Sequence, residues 1–376
     1  PPAPPKGHAK PRRRLIALAA ATAVAALAPS APALADSISF IRAGDVWVAS
    51  PDGRTQVQVT HTGAYSYASQ ADDGTFIALA GRRLHRLDRQ GRVLADFTTP
   101  VSAERTGEET SYFLGPFDPE ISPDGTRVAY EYNWQYIARR PDCTWSDWYC
   151  LDKHLYQGVG YTSSMHQSGW EDPDGGHQSG WIDPSWLDGD RVLLSNPSEP
   201  LNLDVMVDRV GTDNQDIQGW FSDDAAPELR DGEVNRQGTA MAFVSYGTDA
   251  PEGAPREDRR VTVYRTTGAA PQALPEHCFQ YGPASGRYED PSWSPGGDRL
   301  AVADVAPDGT GRVLVAEVPG VAGGCTGPGA APRVAIENAR HPDWGPADVP
   351  ADAPAPQAAL AAPSWRGRVC VRSAGN

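Results

Sequence analysis

The sequence lacks most of the short patterns that announce chemistry. It holds no Gly-x-Ser-x-Gly, so the strained strand-to-helix turn that presents a hydrolase serine is missing. There is no His-Glu-x-x-His, no paired Cys-x-x-Cys and no glycine loop of the kind that cradles phosphate. Basic charge is in the minority, with 33 Lys+Arg against 48 Asp+Glu and a formal net charge of −15. Nucleic acid and anionic membranes both require clustered positive charge, so neither is an expected partner. Long apolar runs are missing too. The longest, Leu15 to Leu27, has 13 residues, where crossing a bilayer takes about 20. Cysteine is scarce, at 5 of 376 residues.

What is present begins with an export signal. Lys6, Lys10, Arg12, Arg13 and Arg14 precede the apolar run, and Ala33-Leu34-Ala35 follows it. A basic region, an apolar region and a small-residue cleavage site make a secretory leader, so residues 1–35 are expected to be removed before Asp36. The arginines loosely resemble a twin-arginine signal and serve general export equally well. No cysteine stands at the cleavage site to carry a lipid. Removing the leader takes away five basic residues, leaving 33 − 5 = 28 against 48, a net charge of −20.

One phrase recurs along the rest of the chain. It reads DPEISPDG from Asp118, DPSWLDGD from Asp183, DGEVNRQG from Asp231 and DPSWSPGG from Asp290. Weaker echoes are YASQADDG from Tyr67 and HPDWGPAD from His341. Successive starts lie 51, 65, 48, 59 and 51 residues apart, the period of a four-stranded sheet repeated around an axis. The Pro-Asp-Gly core combines a fixed φ, a side chain that bonds its own backbone and a residue free to take positive φ, which makes a tight turn. Alternating runs such as Phe76 to Ala80, Arg127 to Tyr132, Ala240 to Tyr246 and Arg299 to Val305 follow the turns and read as strands.

The chain ends complete the count. The segment at His341 is a first strand with nothing after it, whereas Ser37 to Arg42, Asp45 to Ser50 and Val57 to Thr62 read as strands two, three and four. Joined, they form one blade. The expectation is an all-β, six-bladed β-propeller of four-stranded antiparallel blades over residues 36–348, closed by a blade built from both chain ends. The blade beginning at Asp118 is the least legible, its third and fourth strands blurring between Trp145 and Met165. Residues 349–376, rich in Ala and Pro as far as Pro363, read as a linker and tail.

These motifs, SPDG behind a Pro-x-Trp-type strand and then a D-V-W-V-like strand, resemble the TolB-like six-bladed β-propeller family over Ser37 to about Val349. The closing HPDWGPAD looks like the last-strand signature of secreted members from high-GC bacteria. The resemblance implies the fold, and one of several uses: protein-binding scaffold, substrate-gating domain of a peptidase, or lyase. The envelope role of TolB itself is not implied, because the stretch between the leader and Ser37 has no counterpart of its separate N-terminal domain.

In an exported chain, cysteines read first as disulfides. Cys143 and Cys150 flank a small loop and are expected to pair. Cys278 and Cys325 are the next candidates, although ideal blade topology puts their connections on opposite faces. Cys370 is left over in the tail, and Cys278 follows His277 on an extended chain, where neighbouring side chains diverge.

Two features suggest a working surface. Long connections are expected at Gln135 to Lys153, Met165 to Trp181, Gly247 to Arg259 and Glu276 to Tyr288, all on one face, with Pro319 to Pro332 on the other. They are rich in aromatics, and Trp134, Trp145, Trp148, Trp170 and Trp181 are candidate anchors for a glycan or protein, packing over the blades being the alternative role. The second feature is a ring at the channel mouth. Asp118, Asp183, Asp231, Asp290 and His341 stand where each chain enters its innermost strand, with Glu120 and Glu233 two residues further on. Such a ring could hold a divalent cation or the basic end of a ligand, or its carboxylates could simply satisfy turn amides. No cofactor is expected, and the spacing of His166 and His177 is explained by the local duplication HQSGW. Two readings follow: a secreted, non-catalytic, monomeric scaffold binding a protein or glycan through the loop face, or a lyase- or hydrolase-type propeller enzyme working at the acidic mouth.

Overall fold

Each copy of the phrase folds into a first strand and a turn. In the copy at Asp118, Asp124 Oδ1 accepts bonds from Ser122 Oγ at 2.6 Å and Thr126 N at 3.0 Å, and Gly125 takes a φ of 73°. The computed structural model describes residues 36–99, 103–106, 109–139, 151–165, 177–196, 203–210, 217–226, 228–246, 259–282, 286–318, 321, 324–325 and 327–350. These residues form six antiparallel sheets and no helix. Their first strands neighbour one another in a closed ring, which makes a six-bladed propeller.

Blade 1 is the closing blade. Arg340–Gly345 is its first strand, followed outwards by Ser37–Arg42, Asp45–Ala49 and Gln56–Gln58. Blade 2 runs Tyr65–Gln70, Phe76–Ala80, Arg83–Leu87 and Val93–Phe97. Blade 4 has Ile182–Trp186, Arg191–Ser195, Val205–Arg209 and Gln218–Phe221. Blade 5 has Arg230–Val234, Ala240–Tyr246, Arg259–Arg265 and Glu276–Tyr281, and blade 6 has Tyr288–Trp293, Arg299–Val305, Gly311–Glu317 and Arg333–Glu337. The closure is registered as Ile38 opposite Trp344 and Ser37 opposite Gly345. Arg89 of blade 2 secures it, donating to Ala347 O at 3.0 Å, Asp348 O at 2.8 Å and Gln70 Oε1 at 3.0 Å. The hydrophobic core is divided among the seams. Alternation turns one face of every blade toward each neighbour, and six buried clusters result, one per seam.

Blade 3 departs from the expected plan. Its strands Glu109–Ile121, Arg127–Arg139 and Leu151–Ser163 have 13 residues each, while second and third strands elsewhere have 5 to 7. The sheet continues past the disc on the face where first strands begin, and Ala103–Thr106 adds a fifth strand beside the extension. Both ends of the expected loop Gln135 to Lys153 are therefore paired strand, Arg139 lying opposite Leu151.

Two other expected connections are redrawn. The fourth strand of blade 3 is His177–Ser179, inside the segment taken as one connection. Met165 thus follows a third strand and stands on the opposite face, where Ser164 Oγ donates to Gly125 O of the turn at 2.6 Å. Similarly, Glu276–Tyr281 is the rim strand of blade 5, which leaves only residues 282–287 as a connection. This explains the cysteines. Cys278 lies in a rim strand rather than in a connection, so it reaches Cys325 of blade 6, and the two form a disulfide with Cα atoms 4.8 Å apart. Cys143, Cys150 and Cys370 lie outside the described residues, as do the leader and residues 351–376.

Candidate functional site

The channel is built from first strands, and each carries an irregularity at the same place. Pairing between first and second strands slips in every blade, once in five of them and twice in blade 3. In five blades the first residue of the phrase takes the left-handed backbone: Asp118 (φ 40°), Asp183 (52°), Asp231 (45°), Asp290 (48°) and His341 (51°). Asp and His tolerate this conformation better than most residues, which is why these types recur there. The bulge points them around one end of the axis, here called the mouth. The four aspartates line a central cavity of about 550 Å³.

Two residues further in lies a second tier that sequence reasoning saw only in part. Around the axis it reads Asp343, Ser69, Glu120, Ser185, Glu233 and Ser292, acid and serine alternating blade by blade. These side chains tie neighbouring blades together. Ser69 Oγ and Tyr67 Oη donate to the Glu120 carboxylate at 2.7 and 2.6 Å. Trp293 N donates to Glu233 Oε1 at 3.3 Å, and Trp344 N to Ser292 Oγ at 2.9 Å. Gln70 N donates to Asp343 Oδ2, and Trp186 Nε1 to Glu120 O at 2.9 Å. The outer tier is tied less. Asp231 N donates to Asp183 Oδ2 at 3.2 Å. Among the described residues, no hydroxyl or backbone amide of a neighbouring blade reaches the carboxylates of Asp118, Asp231 or Asp290. His341 Nδ1 lies 2.9 Å from Asp290 Oδ2, and the His341 ring rests against Tyr67 at 4.8 Å.

Crowding of like charge in an enclosed channel favours protonation. Burial, reinforced by Asp290, pushes Asp118 up to about 6. Burial and Asp343 push Glu120 up to about 8. Asp231 and Glu233 are driven well above the usual carboxylate range by burial and by the neighbouring acids Asp183 and Asp343 respectively, and Asp343 itself is raised by burial. Burial alone would lower His341, but the Asp290 carboxylate outweighs it and the ring is raised. Glu131, on the second strand of blade 3, accepts from Asp183 N at 2.5 Å and is raised by burial and by Asp183.

The expected site residues are thus only partly brought together. Asp118, Glu120, Asp183, Asp231, Glu233 and Asp290 share the cavity, with His341 at its rim. Trp134 is half-buried on the blade 3 extension, away from the cavity lining. Trp181 packs against the cluster at the blade 3–4 seam that contains Tyr161 and Trp186. Trp145, Trp148, Trp170 and His166 lie outside the described residues. Sequence reasoning missed Asp343, Glu131, the serines and Arg236, which pairs with Asp72 at the far end of the channel. Reading the phrase column by column would have exposed Asp343 and Arg236 at its third and sixth positions. Nothing local marks Glu131.

No family model and no curated protein matches the chain. Among solved structures, TolB from Acinetobacter baumannii is similar over 82% of this chain, at 14% identity and a TM-score of 0.45; the chain spans 66% of that protein. A putative TolB from Agrobacterium tumefaciens is similar over 81% of this chain and 91% of its own, at 13% identity and a TM-score of 0.45. An oligogalacturonate lyase from Vibrio parahaemolyticus is similar over 78% and 71%, at 11% identity and a TM-score of 0.44. All three likenesses lie at low identity, and the blade count rests on the sheets of this chain itself.

Proposed function

We propose that this chain is an exported, non-catalytic propeller scaffold that binds a protein or glycan partner through its mouth face. The observation that carries the reading is the cavity of about 550 Å³, where, among the described residues, the carboxylates of Asp118 and Asp231 receive no hydroxyl or backbone amide from a neighbouring blade. A basic or hydroxyl-rich group of a partner would supply those donors, and the blade 3 extension stands on the same face to flank it. Export is supported by the leader-like first 35 residues and by the Cys278–Cys325 disulfide. Among the described residues, no helix is long and apolar enough to cross a membrane. The test is a glycan array and a panel of basic and acidic peptides, probed with wild type and with the Asp118→Asn/Asp290→Asn double variant. Binding that survives the double variant unchanged would remove the mouth from the reading. N-terminal sequencing of secreted protein is expected to begin at Asp36.

One observation favours a second reading. His341 and Asp290, 2.9 Å apart at the cavity rim, make a pair suited to proton transfer, as a lyase- or hydrolase-type enzyme would need. Among the described residues no three His, Cys, Asp or Glu side chains are grouped to hold a metal. Turnover of a glycan or peptide that His341→Gln abolishes while binding persists would establish this reading over the first.

A further inference from the structure

The far end of the channel is formed by the turns of the six phrases. The sixth position of the phrase reads Asp72, Pro123, Asp188, Arg236, Pro295 and Pro346 around the ring. Five of these side chains are short or cyclic. Only Arg236 carries a long, charged chain. Blades 2 and 5 stand three places apart in a ring of six, so a contact between their turns crosses the axis. Arg236 makes that contact, its Nη1 donating to Asp72 Oδ1. Both ends are braced by neighbouring turns: Gln237 Nε2 donates to Pro295 O at 2.8 Å, and Asp72 N donates to Pro123 O at 2.9 Å.

We propose that Arg236 and Asp72 form a latch across the turn-face end of the channel, making it a pocket with a single entrance at the mouth. The value of such closure to the protein rests on the binding role proposed above, but the closure is a property of the channel alone. Among the described residues, Arg236 is the only Lys or Arg that lines the cavity, against ten Asp and Glu residues. A guanidinium is therefore held at the floor by the surrounding field as well as by its partner. The pair is partly exposed, with side-chain exposures of 28% and 48%. Partly exposed ion pairs contribute little to stability, so the latch governs access more than folding, and its variants should fold.

The experiment places a reporter thiol inside the pocket. Ser185, in the inner tier of blade 4, lines the cavity. In the full chain, Ser185→Cys is reacted with iodoacetamide, the parent chain giving the background from native cysteines. Rates are taken as the limiting rate of the ionised thiol from the pH dependence, because removing a guanidinium or adding salt also shifts the thiol's ionisation. The mouth contributes equally in every variant, so a difference in that limit reports the floor. Arg236→Ala is expected to raise the rate several-fold over Ser185→Cys alone, and Arg236→Lys to bring it back most of the way. High salt, which screens the pair, should raise the rate in the latched protein and leave the Arg236→Ala protein unchanged. Equal rates with and without Arg236 overturn the proposal. If Arg236→Ala does not fold, Asp72→Asn removes the anchor while keeping the cation, and must give the same rise for the latch to stand. No partner is needed, so the latch can fail while the binding role stands, and the reverse.

Discussion

The two tiers of the channel come from the same phrase, two residues apart, yet hold their acids by different means. The outer tier is positioned by backbone: left-handed residues at five bulges, their carboxylates given few donors by the fold. The inner tier is positioned by hydrogen bonds: its three acids, with Ser69 and Ser292, are each engaged by a neighbouring blade, as Glu120 is by Tyr67 and Ser69. A group held by many internal donors is committed to structure, whereas one left without them is available to a ligand. Under the proposed function, the inner tier serves stability and the outer one is the tier open to a ligand.

The crudest way to break that comparison is to remove one member of each tier together. A chain ending at Arg340 loses His341, Asp343 and the buried Trp344, along with the strand that closes blade 1. Loss of a cooperative thermal transition by circular dichroism is expected. A transition like that of the full chain would mean that closure supports little.

Single substitutions separate the tiers. Glu233→Ala leaves Trp293 N without its acceptor inside the seam, at an expected cost of about 1–3 kcal/mol in urea unfolding. Asp290→Asn in the outer tier, which keeps a residue suited to the left-handed backbone, should cost less than ~1 kcal/mol. Equal losses would erase the distinction between the tiers.

The pH dependence sharpens it. Glu120 is raised from 4.5 to about 8, and Asp118 from 3.8 to about 6. A carboxyl raised on folding contributes stability that is complete below its unfolded value and is lost as pH rises through its folded value. Stability should therefore climb as pH falls from about 8 toward 5, and Glu120→Gln should flatten the upper part of that slope. A Glu120→Gln profile parallel to wild type would show that this carboxyl does not titrate there.

The smallest expected change in stability comes from Asp118→Asn with Asp290→Asn. Crowded carboxylates repel at about 1 kcal/mol per close pair in a watery setting, so the double variant should unfold within ~1 kcal/mol of wild type, or slightly later, while binding to the mouth weakens. Lost stability with intact binding would place the outer tier among the structural acids as well.

By itself, the sequence determined the six-fold repeat, the closure from both ends and the convergence of Asp118, Asp183, Asp231 and Asp290 on one axis. Those features are written in a few adjacent residues at a time, as turn chemistry and period-two alternation, so they can be read without knowing what lies beyond. Blade 3 misled because its fourth strand, His177–Ser179, is too short and polar to show alternation. The Cys278–Cys325 pairing is not legible locally, because it depends on which residues of a rim strand face the next blade. Only the tertiary structure decided which acid meets which donor: Glu120 against Ser69, 51 residues apart, Asp343 against Gln70, 273 apart, and Arg236 against Asp72, 164 apart. Such pairs are made by closing the ring, which sets opposing blades a channel's width apart whatever their separation along the chain, and no local pattern encodes that distance.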